Sequence, residues 1–159
     1  MDIYIDTLYN HMEYCELIFE WTYKEFGNNN PQYWKMWIKS SIKCDSIPMT
    51  YLIFDGDIVI GTFSLWRCDL QSRQDLFPWF GGFYIRPDYR GKIHNGTKLG
   101  YVVQNYALFR LKEWGYTEAF LFSEKGTTYY EKNGWQPIGI AYDEFDRQVF
   151  LCKYDLSLL

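Results

Sequence analysis

Histidine is nearly absent from this chain and cysteine is sparse, with two of the first and four of the second in 159 residues. Cys15, Cys44, Cys68 and Cys152 form no Cys-x-x-Cys pair, and no histidine is spaced to complete a zinc site, so a metal has no motif to rest on. No apolar run approaches the roughly 20 residues that cross a bilayer. Met1-Asp2-Ile3-Tyr4-Ile5-Asp6 is acidic where an export signal begins basic. The expectation is a cytoplasmic protein without membrane contact, its cysteines reduced. A basic excess is lacking too: the net charge of −4 disfavours phosphate neutralisation, hence nucleic acid, and mildly favours a cationic partner. Repeats, low-complexity tracts and Ser/Pro linkers are missing, which leaves one domain over residues 1–159.

Apolar residues make up 48% of the chain and aromatic ones 21%, enough for a substantial core. Ile3 to Thr7 alternates as a short strand, and Asn10 to Phe26 reads as a helix with Met12, Cys15, Ile18, Phe19, Thr22 and Phe26 on one face. The polar stretch from Gly27 through Asn28, Asn29 and Asn30 separates it from a helix opening at Pro31. That helix runs to about Lys43, carrying Tyr33, Trp34, Trp37 and Ile38 inward. Pro48 to Phe54 and Ile58 to Trp66 are β-branched and aromatic around the turn Asp55-Gly56-Asp57, a β-hairpin. Trp79 to Ile85 adds a strand, Gly96 to Trp114 a long helix ended by Gly115, and Ala119 to Phe122 a short buried strand. Thr127 to Asn133 reads as a short helix with a Thr128-x-x-Glu131 capping box. Trp135 to Tyr142 and Gln148 to Tyr154 then pair as a hairpin. The order predicts an α/β fold with a mixed sheet and helices on its faces.

The segment from Phe83 to Leu99 concentrates the chemistry. Two glycines, Gly91 and Gly96, allow backbone amides to approach an anion, a following helix N-terminus adds partial positive charge, and Arg90, Lys92 and Lys98 supply full charges. Phosphate is the ligand such a cradle suits. The spacing Gly91-x-x-x-x-Gly96 also begins a nucleotide-binding P-loop, but Lys and then Ser/Thr must follow there, and this chain has Thr97-Lys98 in reverse.

Phe83-Tyr84-Ile85, then Tyr89-Arg90-Gly91-Lys92 and Gly96-Thr97-Lys98-Leu99, and much later Tyr129-Tyr130-Glu131-Lys132-Asn133-Gly134-Trp135, together resemble the GNAT superfamily of N-acetyltransferases. The resemblance covers roughly residues 79–112 and 119–138. It implies a single domain with a central, mostly antiparallel mixed sheet of about six or seven strands, splayed between the fourth and fifth, and about four helices. It implies acetyl-CoA as co-substrate and no metal. The exposed edge of Phe83, Tyr84 and Ile85 would bond the pantetheine arm as a strand would. Arg90, Gly91, Lys92, Asn95, Gly96, Thr97 and Lys98 would hold the pyrophosphate. Ile93 and Asn95 stand where the family's strict loop pattern has glycines, and Gly96 fits the helix start only with one extra loop residue. Tyr130 matches the tyrosine that commonly protonates the departing thiolate, with Tyr129 about 100° away on a helix and packing instead.

No general base is assigned by the sequence: Asp75, Glu118, Glu124 and Asp143 lie near strand ends, where single carboxylates are usually solvated. His94 in the cradle and His11 near the first helix have no catalytic pattern around them, and no Ser/His/Asp or Cys/His arrangement supports an acyl-enzyme. The expected reaction is direct attack of a primary amine, of a small molecule or a peptide, on the thioester in a ternary complex. Trp21, Tyr23, Tyr33, Trp34, Trp37, Trp66, Phe77 and Trp79 read either as core or as walls of a cationic acceptor pocket. The resemblance leaves room for a homodimer. It also leaves open a degenerate domain that binds acyl-CoA without turnover, and an acyltransferase acting on a macromolecule.

Overall fold

The computed structural model describes residues 1–27 and 29–159; Asn28, in the polar stretch expected between the first two helices, lies outside the described residues. Nine strands and four helices are described: β1 (Ile3–Thr7), α1 (Cys15–Phe26), α2 (Pro31–Ser40), β2 (Met49–Asp55), β3 (Ile58–Trp66), β4 (Trp79–Ile85), β5 (Ile93–His94), β6 (Thr97–Lys98), α3 (Leu99–Glu113), β7 (Glu118–Ser123), α4 (Thr128–Glu131), β8 (Gln136–Tyr142) and β9 (Gln148–Asp155). Seven strands form one mixed sheet in the order β1-β2-β3-β4-β7-β9-β8, and β5 with β6 makes a separate two-stranded hairpin. The chain divides into two compact bodies, Met1–Leu65 with Gly82–Val103 and Trp66–Gly81 with Gln104–Leu159.

In the first body β1 and β2 pair antiparallel from Ile3↔Asp55 to Thr7↔Tyr51, and β2 and β3 from Met49↔Leu65 to Asp55↔Ile58. The turn between β2 and β3 needs Gly56, whose φ is +56°. Leu8, Ile18, Ile38, Leu52, Phe54 and Val59 form a core, with Tyr14, Trp21 and Trp34 packed against it. One chain of buried hydroxyls is paired throughout: Ser41 Oγ donates to Ile38 O at 2.7 Å, meets Thr50 Oγ1 at 2.6 Å, and Thr50 Oγ1 meets Ser64 Oγ at 2.7 Å. The end of α2 is thereby tied to two strands, which satisfies polar atoms that burial would otherwise leave costly. At Gly61 a Cβ would stand 2.5 Å from Tyr84 O, so β3 passes β4 at a distance only glycine permits.

Residues 10–26 are not one helix. Asp6 gathers the chain ahead of α1, accepting from Thr7 N at 2.7 Å and Asn10 Nδ2 at 2.9 Å and meeting His11 Nε2 at 3.0 Å. Two short 3-10 turns, Leu8–Asn10 and Met12–Tyr14, result, and α1 begins only at Cys15. Its buried face is Ile18 and Thr22, while Met12 and Phe26 are exposed. α2 opens as expected at Pro31, with Asn30 Oδ1 accepting from Tyr33 N at 3.1 Å, but ends at Ser40 rather than Lys43.

In the second body β9 lies between β7 and β8 and pairs antiparallel with both. β4 joins β7 in parallel at Trp79↔Phe120, where Phe120 N donates to Pro78 O at 2.9 Å. Trp79, Ala107, Leu108, Leu111, Leu121 and Leu151 are buried there. The long helix ends as its sequence requires: Gly115, at φ +86°, lets its own N–H reach Lys112 O and the Tyr116 N–H reach Leu111 O, the double closure of a Schellman motif. The expected capping box at Thr128 does not form. Thr127 precedes α4 instead, and its Oγ1 donates to Glu131 Oε2 at 2.7 Å. Among the described residues no helix is long and apolar enough to cross a membrane, and no group of three or more His, Cys, Asp or Glu could hold a metal ion. All four cysteines are free thiols.

Candidate functional site

The anion cradle departs from its expected form in one respect that matters. Gly96 to Lys98 do not begin the helix. Asn95 and Gly96 have φ of +48° and +79°, and around them Ile93↔Lys98 and His94↔Thr97 pair as a hairpin. Positive φ at both central residues is what an Asn-Gly turn provides, and that dipeptide was the overlooked signal. The hairpin closes where Leu99 N donates to Lys92 O at 2.8 Å, so Lys92 and Leu99 are neighbours and residues 93–98 stand out as an arm. The helix N-terminus at the end of this loop therefore starts at Leu99, with its first N–H already spent. A Cβ on Gly91 or Gly96 would meet nothing within 4 Å, so these glycines serve by their φ of +75° and +79° rather than by clearing space.

Three of the four cations between Phe83 and Leu99 form no ion pair among the described residues. Arg86 is spent on Asp88 at 2.8 Å, whereas Arg90, Lys92 and Lys98 form no ion pair among the described residues. Arg90 is braced by donating from Nε to Ile85 O at 2.8 Å and lies 5.4 Å over the Tyr84 ring. Lys92 Nζ is 3.9 Å from the centre of the Tyr89 ring, and Tyr89 itself is anchored by its hydroxyl donating to Asp55 Oδ2 at 3.1 Å. Three unneutralised cations around left-handed glycines, in a chain of net charge −4, are fit to receive a multiply charged anion. On β4, Phe83, Tyr84 and Ile85 immediately precede this loop, with Trp21 against the Tyr84 ring at 5.2 Å.

Tyr130 belongs to the second body. Its carbonyl accepts from Asn133 N at 2.9 Å and Trp135 N at 3.2 Å, and its ring meets Trp135 and Tyr129 edge-on. Gln104 of α3 locks the same turn, Oε1 accepting from Asn133 Nδ2 and Trp135 Nε1, both at 3.0 Å. Burial foremost, then Tyr129 and Cys152, push the Tyr130 phenol up to about 12, so it keeps its proton firmly. Burial, and after it Glu131, pushes the nearby Cys152 thiol up to about 11, which makes it inert. Tyr129, expected to pack, is exposed.

The carboxylates weighed from sequence are committed elsewhere: Asp75 to Arg73 at 2.8 Å, Glu118 to Lys153 at 3.0 Å, and Glu124 and Asp143 to Arg147. His94 meets Asn95 within the hairpin, and His11 meets Asp6. One carboxylate no motif indicated stands apart. Asp69, in the loop between β3 and β4, has no side-chain partner among the described residues, and burial alone pushes it up to about 7. Of the aromatic residues weighed as pocket walls, Trp66 and Trp79 are buried core while Phe77 is exposed.

This seven-stranded mixed sheet with its four helices matches the fold of GNAT acetyltransferase structures. Among solved structures, an aminoglycoside 6'-N-acetyltransferase complexed with coenzyme A superposes with a TM-score of 0.72 over 96% of this chain and 97% of its own, at 10% identity. An acetyltransferase from Streptococcus agalactiae gives 0.70 over 98% and 99% at 15% identity, and a GNAT family acetyltransferase from Elizabethkingia anophelis with acetyl-CoA bound gives 0.68 over 97% and 98% at 12% identity. No family model and no curated protein matches the sequence.

Proposed function

We propose that this chain is an acetyl-CoA-dependent N-acetyltransferase, a single catalytic domain that moves the acetyl group to a primary amine by direct attack. The observation that carries the reading is the unpaired cation set Arg90, Lys92 and Lys98 around the left-handed glycines Gly91 and Gly96, on a GNAT fold. Acetyl-CoA supplies the thioester. Arg90, Lys92 and Lys98 neutralise its phosphates, with Gly91, Asn95, Gly96 and Thr97 shaping the backbone between them. Phe83, Tyr84 and Ile85 offer main-chain groups to the pantetheine amides.

On this reading the departing sulfur is assigned to Tyr130. A phenol pushed up to about 12 holds its proton more tightly than an ordinary alkanethiolate would take it. It stabilises the forming thiolate by donating a hydrogen bond, and the proton stays on oxygen. The experiment is calorimetric titration with acetyl-CoA followed by thiol release over a panel of amines. Binding with acceptor-dependent thiol release is expected; absence of binding would sink the reading. A second reading, an acyl-CoA-binding domain without turnover, is favoured by the inserted arm 93–98, and binding without thiol release on any amine would select it.

A further inference from the structure

Building on the acetyltransferase reading, we infer that Asp69 is the carboxylate that binds the ammonium group of a cationic primary amine and takes up its proton before attack. Two geometric facts support this. The Asp69 carboxylate is packed so tightly against β4 that a Cβ on Gly81 would stand 2.3 Å from Oδ2 and 2.9 Å from both Asp69 Cγ and Trp66 Cδ1. That approach exists only because position 81 is glycine. The same carboxylate has neither a hydrogen-bond nor an ion-pair partner among the described residues. Asp69 is half-buried, so its unpaired carboxylate is crowded by protein yet still open to a ligand, and a cationic group is the one that would relieve it.

The polar and charged residues flanking Asp69 in sequence have contacts of their own. Arg67 stacks on Phe77 at 5.8 Å, Arg73 is spent on Asp75, and the Cys68 thiol donates to Leu70 O at 3.5 Å. Gly81 lies in β4, two residues before Phe83 in the chain. Burial holds Asp69 near 7, where it can accept a proton at neutral pH and pass it to solvent afterwards. In the reaction the ammonium gives one proton to Asp69, and the amine nitrogen then forms the C–N bond as the C–S bond breaks. The second nitrogen proton goes to the departing sulfur, leaving the amide and the coenzyme A thiol.

The test uses Asp69→Asn, Asp69→Glu and Gly81→Ala, with acetyl-CoA affinity by calorimetry and thiol release to a short alkylamine, an arylalkylamine, a polyamine and an aminoglycoside from pH 5.5 to 9. The wild type is expected to show kcat/KM rising with pH through about 7 for the amine it prefers. Asp69→Asn should bind acetyl-CoA within about twofold of wild type, lose about 100-fold or more in kcat/KM, and lose the limb near 7. Asp69→Glu should restore part of the rate and a shifted limb, which a purely structural role would not. Gly81→Ala, which displaces the carboxylate without removing it, should fall between them. Full rate and an unchanged pH profile in Asp69→Asn would overturn the inference, as would acetyl-CoA binding by the wild type with no thiol release to any of these amines. Failure of the wild type to bind acetyl-CoA would instead strike the acetyltransferase reading, and this inference with it.

Discussion

Burial moves Asp69 and Tyr130 in the same direction, toward the neutral form, and the chemistry of each group decides what that does. A carboxylate raised to about 7 becomes a usable base, whereas a phenol raised to about 12 becomes a committed donor. Tyr130→Phe should therefore lower kcat about 10- to 100-fold with the KM for acetyl-CoA nearly unchanged, and it should leave the pH profile below 9 unaltered. Steady-state kinetics at several pH values checks both. Asp69 also has a stability consequence. Its folded pKa lies above the unfolded value near 3.9, so its favourable contribution is present below pH 4 and is lost as pH rises through 7. Asp69→Asn should accordingly be more stable than wild type at pH 8, by at most about 4 kcal/mol, and gain little at pH 4. Urea midpoints at the two pH values decide it. Neither residue's pKa was legible beforehand: a motif singled out Tyr130 but said nothing of its burial, and Asp69 sits in a polar loop with nothing in its neighbours to mark it as crowded by protein.

At the scale of elements, most strands and helices announce themselves by periodicity, and the misreadings cluster where a side chain redirects the backbone. Asp6 turns residues 8–14 into 3-10 turns through hydrogen bonds to Thr7 and Asn10 that no hydrophobic pattern encodes. Asn95-Gly96 makes a hairpin where glycine and lysine suggested a helix start. Since Gly96 has open space but φ +79°, Gly96→Val should act by straining the turn. It should weaken coenzyme A binding while leaving the global urea midpoint nearly unchanged, because the arm lies outside the seven-stranded sheet. Thr50→Val is the contrasting case: it leaves the Ser41 and Ser64 hydroxyls each short of a partner and should cost about 1–3 kcal/mol in urea unfolding without changing coenzyme A affinity.

For the whole molecule the sign of the charge is instructive. A net charge of −4 spoke against nucleic acid, yet the structure keeps Arg90, Lys92 and Lys98 out of ion pairs, so the local field of the arm opposes the global one. Coenzyme A affinity should fall steeply with added salt, and Arg90→Gln or Lys98→Gln should each flatten that slope; calorimetry across a salt series reads it directly.

The sequence by itself determined the order of the seven sheet strands and the four helices, the hairpin at Gly56, the helix stop at Gly115, the cationic loop and the tyrosine turn, because each rests on residues adjacent in the chain or on a local periodicity. Only the tertiary structure decided that residues 93–98 form an arm closed by Lys92 and Leu99, that Gln104 locks the Tyr130 turn, and that Asp69 meets Gly81 with no partner. Those outcomes depend on contacts between residues far apart in the chain, and on the solvent they exclude.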